Sequence, residues 1–467
     1  MSINLSSFTP YDLRAKLGEQ LNEEVAQAIG YAYAKVTKAK SVCVGGDIRL
    51  SSESLKNALA IGLSQAGCRV IDLGLTGTEE MYFATVHYKL DGGIQVTASH
   101  NPKNYNGMKF VAKNATPIGR ENGLEEIRVL AENILNNYQT SLTNQNLGPI
   151  EKHSCLEHYI KHLFTFIDLT KLRPMRLLMN AGNGAAGHVI DAIEQHFQNH
   201  DIPIDLIKIN NHPDGNFPKG VPNPLLHDCR EETSHAVIDH QCDLGIAWDG
   251  DFDRCFFFDS KGLFIEGYFI VGLLAEAFLS HDPKQTILHD PRLTWNTIDL
   301  VKEAGGKAFP SKTGHAFIKN DMRQRDAVYG GEMSAHHYFR DFFYCDSGMV
   351  PWLLVIELLS TKQQNLHNLL KGRIALFPNP GEINFIIEEK EKAIAEVENF
   401  FRDQDEKAIN IEYFDGLNVE FKNWRFNLRC SNTEALVRLN IETRADPQLL
   451  EDKLTLLKCL LNKWIKK

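Results

Sequence analysis

Ser41-Val42-Cys43-Val44-Gly45-Gly46-Asp47 is an apolar run that ends in two glycines and an acid, the pattern of a buried strand delivering a loop. Just beyond it, Leu55, Ala58, Leu59, Gly62 and Leu63 share one stripe of a helix that Ser51 or Ser52 can cap and Gly67 can end. Residues 69–73 read as the next strand. Strand, helix, strand in this rhythm predicts an α/β domain with a mostly parallel sheet, whose ligands gather beyond the carboxyl ends of the strands. Gly93-Ile94-Gln95-Val96 alternates like a later strand of the same sheet and feeds Thr97-Ala98-Ser99-His100-Asn101-Pro102. A serine hydroxyl at that place, with a histidine beside it, is a candidate nucleophile. A plain polar turn is the alternative, because these residue types all favour turns.

The pattern restarts after a polar stretch at about 138–147. Residues 176–180 form a short strand leading into Gly182-Asn183-Gly184-Ala185-Ala186-Gly187. The glycines fit a dinucleotide-binding spacing, but Asp201 and Asp205 flank the next strand where one closing acid would be needed, so close helix–strand packing explains them better. Leu244-Gly245-Ile246-Ala247-Trp248 is another strand, ending in Asp249-Gly250-Asp251-Phe252-Asp253-Arg254. Three carboxylates at spacing two in extended backbone project from one side. Such a set repels itself unless a cation neutralises it, and an all-oxygen set favours Mg²⁺ or Ca²⁺ over zinc; a solvated acidic turn is the alternative, which the buried strand before it disfavours. An EF-hand is excluded, since its sixth position is Arg254 and its twelfth Ser260.

A third α/β segment starts near Ser260, with strands at 287–290 and before Ser311-Lys312-Thr313-Gly314-His315. Val328-Tyr329-Gly330-Gly331 leads into Glu332-Met333-Ser334-Ala335-His336-His337, a set able to hydrogen-bond several sugar hydroxyls. The composition then shifts over 373–381 to a linker, followed by an α+β segment with helices at about 388–402 and 447–464. Its loop Arg429-Cys430-Ser431-Asn432-Thr433 offers a guanidinium, hydroxyls, an amide and backbone N–H groups, a competent phosphate clamp, with an ordinary hairpin turn as the alternative.

A chain of 467 residues is too long for one core. Its 43% hydrophobic and 24% charged residues are those of a soluble globular protein. A formal charge of −10 argues against a nucleic-acid partner but not against an anionic small molecule met by local positive charge. Nine scattered cysteines without a CxxC pair suggest neither disulfides nor zinc. The N-terminus lacks a secretory pattern, and the apolar stretches at 270–279 and 350–359 carry Glu276 and Glu357, so a cytoplasmic protein without a membrane span is expected.

TASHNP, DGDFDR, GEMSAH and RCSNT, in this order and spacing, resemble the four signature loops of the α-D-phosphohexomutase family, over essentially the whole chain. The segments around Asp290, Lys312 and Gly331 are similar to its bacterial phosphomannomutase branch, which feeds GDP-mannose synthesis. The resemblance implies four domains around a central cleft: α/β domains at 1–147, 148–257 and 258–371, and an α+β domain at 372–467. It implies a phosphoserine at Ser99, Mg²⁺ held by Asp249, Asp251, Asp253 and a phosphoserine oxygen, and a hexose 1,6-bisphosphate intermediate formed from a hexose phosphate substrate. Lys109, ten residues beyond the serine, would act as general acid or base. Arg254 would contact the phosphoserine, and His100 would hold the loop or touch phosphate, since extended backbone keeps it from facing Ser99. Glu332, Ser334 and His336 would bind the sugar, and Arg429, Ser431, Asn432 and Thr433 the phosphate that is not reacting. Tyr11, Arg14, Arg49, Arg292 and His315 match further binding positions more loosely. A monomer or dimer is expected. The chain departs from the family at Ala15 and Cys430, while Met333 suits the mannose/glucose branch.

Overall fold

The computed structural model describes residues 5–136, 147–403, 406–430 and 436–465. It divides into two compact units, 1–264 with 322–324 and 336–365, and 265–321 with 325–335 and 366–467.

In the first unit the apolar runs become the centre of a mixed sheet in the order Asp12–Lys16, Tyr105–Ala112, Gly92–Val96, Ser41–Gly46, Arg69–Leu75 and Ile150–Lys152, with Thr116–Pro117 paired to Tyr105–Ala112. Gly92–Val96, Ser41–Gly46, Arg69–Leu75 and Ile150–Lys152 run parallel, while Tyr105–Ala112 returns antiparallel between Gly92–Val96 and Asp12–Lys16. That return strand explains a spacing. Lys109 pairs with Gln95 on one side and Asp12 on the other, so ten residues bring it back beside the loop that carries Ser99. Helices Glu23–Thr37 and Ser52–Gln65 bury Val25, Ile29, Leu55 and Leu59 in the same core as Val42, Val44, Ile94 and Val96. Ser51 stands at the N-cap of Ser52–Gln65 but makes no side-chain cap, contrary to expectation. Its hydroxyl instead accepts from Asn106 Nδ2 at 2.8 Å, and Ser52 Oγ donates to Asp47 Oδ1.

A second mixed sheet contains Cys255–Asp259, Leu244–Trp248, Met175–Asn180 and Ile204–Ile209, the last three parallel. Trp248 pairs with Cys255, so residues 249–254 form the turn between antiparallel strands. The glycines at 184 and 187 serve packing, as read. A Cβ on Gly184 would stand 2.9 Å from Gly250 O, and one on Gly187 would stand 1.9 Å from Asn211 O.

In the second unit Thr286–His289 lies parallel between Lys307–Pro310 and Tyr329–Gly331. Its C-terminal part is α+β: Ile383–Ile386, Leu436–Thr443, Trp424–Cys430, Leu417–Glu420 and Asn410–Tyr413 form one antiparallel sheet. Helices Lys390–Arg402 and Pro447–Asn462 share its core, where Phe421 stacks on Trp424 with ring centroids 4.3 Å apart. Helix Leu366–Leu376 runs through the start of the expected linker and through the expected boundary at 371/372, and Pro378 and Pro380 then keep the chain irregular until Ile383. The boundary at 257/258 falls within strand Cys255–Asp259. That at 147/148 borders residues outside those described, and the polar stretch expected at about 138–147 lies among them except for residue 147. Among the described residues, no helix is long and apolar enough to cross a membrane.

Candidate active site

The loop after Gly92–Val96 is held by charge buried beneath it. Thr97 donates its hydroxyl to Asp47 Oδ2 at 2.6 Å and accepts the Ser99 N–H at 2.9 Å. Arg49, which is 4% exposed, donates to four main-chain carbonyls, Ser99 and Asn101 through Nη2 and Pro102 and Tyr105 through Nη1, at 2.6–2.9 Å. This clamp turns the backbone at Ser99 to φ 47°. Adjacent side chains then converge, which corrects the expectation for His100: its Nδ1 lies 3.0 Å from Ser99 Oγ. Burial and the nearby Arg254 hold the His100 imidazole below its usual pKa. Ser99 Oγ donates to Asp249 Oδ2 at 2.6 Å.

Asp249, Asp251 and Asp253 are all buried, and their carboxylates offer oxygens within 4.8 Å of one another. Extended backbone does not achieve this. The chain turns there, with Phe252 left-handed at φ 46°, so the carboxylates converge around a bend. Each has one oxygen engaged: Asp249 Oδ2 by Ser99, Asp251 Oδ2 by Thr78 Oγ1 at 2.5 Å and Lys109 Nζ at 2.8 Å, and Asp253 Oδ2 by Lys109 Nζ. The three Oδ1 atoms are buried without a hydrogen-bond donor among the described residues. Three orphaned anionic oxygens are costly unless a cation meets them, so the set fits a hard divalent ion.

Burial would raise the Asp251 and Asp253 carboxyls, Asp251 further by the Asp253 charge, and would lower Lys109. Lys109 reverses both carboxyls, helped by Arg14 at Asp251 and by His336 and Arg254 at Asp253, and the two aspartates in turn reverse Lys109. Both carboxyls sit below the usual carboxylate range, Asp253 well below, and Lys109 above the usual lysine range. Lys109 is therefore an ammonium. Burial likewise works against Arg14, yet Asp12, Asp251 and Asp253 keep its guanidinium above the ordinary value. Arg14 Nε donates to Asp12 Oδ2 at 2.8 Å, while Nη1 is buried without a hydrogen-bond partner among the described residues. Tyr11 stands half-buried three residues before it. Arg254 Nε donates to His336 Nε2 at 3.2 Å and lies 3.7 Å from Asp249 Oδ2; His336 Nε2 lies 3.5 Å from Asp253 Oδ1. Asp346 closes a second group with Asp253 and His336.

The other expected residues lie in the second unit. Glu332 is buried and accepts the Gly314 N–H at 3.0 Å, with His315 next in sequence opening helix His315–Arg325. Ser334 is half-buried in the loop that follows Glu332. Arg292 is held by Asp290 on one side and Glu382 at 2.9 Å on the other; burial opposes its charge, but these carboxylates keep it above the usual range. Arg429 Nη1 donates to Thr313 Oγ1 and to Asp415 Oδ2 at 3.2 Å, and Asp415 also accepts the Thr313 N–H at 3.1 Å. Ser431, Asn432 and Thr433 lie outside the described residues.

Models of the phosphoglucomutase/phosphomannomutase family match the chain in order, alpha/beta/alpha domains I, II and III over residues 6–137, 157–262 and 266–377, and the C-terminal domain over 382–453. The chain belongs to this family. It is 54% identical over 458 residues to the phosphomannomutase of Escherichia coli K12, covering 98% of this chain and 99% of that one. It is 52% identical over 465 residues to that of Vibrio cholerae, with 98% and 99% covered. The crystal structure of a family protein from Burkholderia thailandensis superposes with a TM-score of 0.86 at 28% identity over 99% of both chains. A putative phosphomannomutase from Thermus thermophilus, at 20% identity and TM-score 0.82 over 99% of both chains, shares the fold. Membership makes the protein a phosphohexomutase, an isomerase-class enzyme.

Thr78, Asp346 and Asp415 escaped the reading of the sequence. Gly77-Thr78-Glu79-Glu80 does carry a helix-start signal, acids in the first turn, but nothing in it points to an aspartate 173 residues away.

Proposed function

We propose that this enzyme is a phosphomannomutase, interconverting mannose 6-phosphate and mannose 1-phosphate through a phosphoserine at Ser99 and a hexose 1,6-bisphosphate intermediate. The observation that carries the chemistry is Ser99 Oγ on Asp249, one of three buried carboxylates that each keep an oxygen without a donor. Full-length identity of 54% to a phosphomannomutase carries the choice of sugar.

Asp249, Asp251 and Asp253 would hold Mg²⁺ with an oxygen of the phosphoserine. Bound there, Mg²⁺ supplies positive charge to the transferring phosphoryl group and to the seryl oxygen. The free hydroxyl of the hexose phosphate forms a bond to phosphorus as the bond from phosphorus to Ser99 Oγ breaks. Lys109, an ammonium in this arrangement, is the acid placed to give a proton to that oxygen, and it regains one from the attacking hydroxyl; in the second transfer it takes the Ser99 proton and gives one to the departing sugar oxygen. The bisphosphate turns around and gives its other phosphate to Ser99, so no water or proton is consumed overall. Arg254 and the unpaired Nη1 of Arg14 supply cationic donors near the serine. His100 steadies Ser99 Oγ. Glu332, Ser334 and His336 would read sugar hydroxyls. Arg429, with Ser431, Asn432 and Thr433, would grip the resting phosphate, and Arg292, His315 and Tyr11 would complete binding. None of the nine cysteines forms a disulfide, which supports a reducing cytoplasm as its place, and the product would feed GDP-mannose synthesis.

A dual mannose/glucose mutase is the second reading, favoured by 48% identity to the phosphohexose mutases of Xanthomonas campestris. Turnover of mannose 1-phosphate against glucose 1-phosphate separates the two. A Ser99→Ala enzyme that keeps full activity would refute the phosphoserine route, as would an active wild-type protein whose intact mass never shows a phosphatase-sensitive phosphoryl group.

A further inference from the structure

We infer that Thr78 is a positioning residue for the divalent cation, fixing Asp251 in the ligand set while Lys109 serves the proton transfer. The inference rests on the reading of Asp249, Asp251 and Asp253 as cation ligands. Thr78 is fully buried and opens helix Thr78–His87. It grips one aspartate twice: its backbone N–H donates to the Asp251 carbonyl at 3.2 Å and its hydroxyl to Asp251 Oδ2 at 2.5 Å. Main chain and carboxylate are thus fixed by one residue, and its β-branched side chain has little χ1 freedom.

The seat around Thr78 is built for this contact. A Cβ on Gly77 would stand 2.0 Å from the Phe252 ring, so the aspartate turn packs flat against the start of the helix. Glu80 caps that start by accepting the Gly77 N–H at 2.8 Å, and its carboxylate lies 3.1 Å from His188 Nε2. The His188 ring in turn stands edge-on to Phe252, with centroids 6.3 Å apart.

Asp251 Oδ2 has two donors, and they differ in kind. Lys109 divides its protons among Asp251, Asp253 and the Thr78 oxygen, the last at 3.3 Å, and the proposed chemistry takes its proton away. A cation arriving among the carboxylates also competes with the ammonium for them. Thr78 carries no charge and has no reason to leave. It is the donor that keeps Asp251 Oδ1 presented when Lys109 is occupied elsewhere, the role that outer hydrogen-bond partners of metal ligands play in general.

The test is Mn²⁺ binding to the intact, dephosphorylated protein, counted by electron paramagnetic resonance of the free ion, for wild type, Thr78→Val, Thr78→Ser and Asp251→Asn. Valine keeps the shape and removes the hydroxyl. Expected are a loss of affinity of about tenfold or more for Thr78→Val and near wild-type affinity for Thr78→Ser. In turnover, kcat of Thr78→Val should fall with KM for the hexose phosphate little changed. If Thr78→Val does not fold, Thr78→Ala, which leaves a small void in place of a methyl against a carboxylate, is read instead. Wild-type Mn²⁺ affinity in Asp251→Asn would overturn the cation reading itself. A weakened Asp251→Asn beside a hydroxyl-free variant within twofold of wild type would overturn the role of Thr78 and leave that reading standing.

Discussion

Replacing Lys109 by methionine removes the counter-ion of a buried acidic cluster while keeping most of its volume. Lys109 is 5% exposed and touches Asp251 and Asp253, themselves buried, so the carboxylates would lose their ammonium without gaining water. Breaking a buried pair by removing one partner costs about 3–5 kcal/mol. An independent ceiling comes from protonation. The site can escape by binding one proton, at about 1.4 kcal/mol per pH unit above an ordinary carboxyl pKa near 4, which is about 4–5 kcal/mol at pH 7.5. The two figures agree, and at about 2 °C per kcal/mol the melting transition in EDTA should fall by roughly 6–10 °C. The pH dependence follows. Burial raises the Asp251 and Asp253 carboxyls, and Asp253 raises Asp251 further, but Lys109, with Arg14 at Asp251 and His336 and Arg254 at Asp253, brings both below their unfolded values, so their stabilisation is present above pH 4 and fades as pH falls through the folded values. Lys109→Met lacks it, so its deficit is full at neutral pH and closes on acidification. Mg²⁺ at about 100 times its Kd returns about 2.7 kcal/mol, and should protect the variant more than wild type because no ammonium competes for the oxygens. Differential scanning fluorimetry across pH 4.5–8, with EDTA or saturating Mg²⁺, measures all three. A variant that melts within a degree of wild type in EDTA at pH 7.5, or that gains less from Mg²⁺, refutes the charge argument.

Arg49→Lys leaves the four carbonyls of the serine loop to a donor without a planar fork, so kcat should fall at least tenfold with the fold intact; circular dichroism with single-turnover phosphoryl transfer checks it. Asp415→Asn removes the carboxylate that neutralises Arg429, and with both side chains about one-fifth exposed KM should drop about two- to fivefold, read from initial rates at varied substrate. Burial lowers His188, but Glu80 more than reverses this and raises it above the usual histidine value; its stabilisation is complete below pH 6.5 and is lost as pH rises through the folded value. A His188→Gln protein should therefore show a flatter stability profile from neutral to alkaline pH in urea titrations.

What the sequence disclosed followed from how local each feature is. Ser41–Gly46 and Leu244–Trp248 are legible because a fully buried strand must be apolar along its length. The three aspartates are legible by residue type, since three acids after a buried strand call for a cation. Their geometry is not, because alternation assumes extended backbone and Phe252 breaks it with a left-handed turn that no spacing rule signals. His100 fails for the same reason at Ser99. Thr78 acts on a partner brought close by the order of strands, and Arg49 stands out only through the family resemblance, since its hold on the Ser99 carbonyl 50 residues away has no local signal.

The left-handed backbone at Ser99 also limits what this position can become. A residue with a Cβ costs about 1–2 kcal/mol there, and a β-branched one more. Threonine, an alcohol equally able to carry a phosphoryl group, is thereby disfavoured by conformation alone. Glycine, which the backbone prefers, has no oxygen to offer. Serine is the smallest side chain that reconciles the two demands, so the identity of the proposed phosphoryl carrier is set as much by a torsion angle as by its chemistry, and a redesign that relocates it must first supply another such bend.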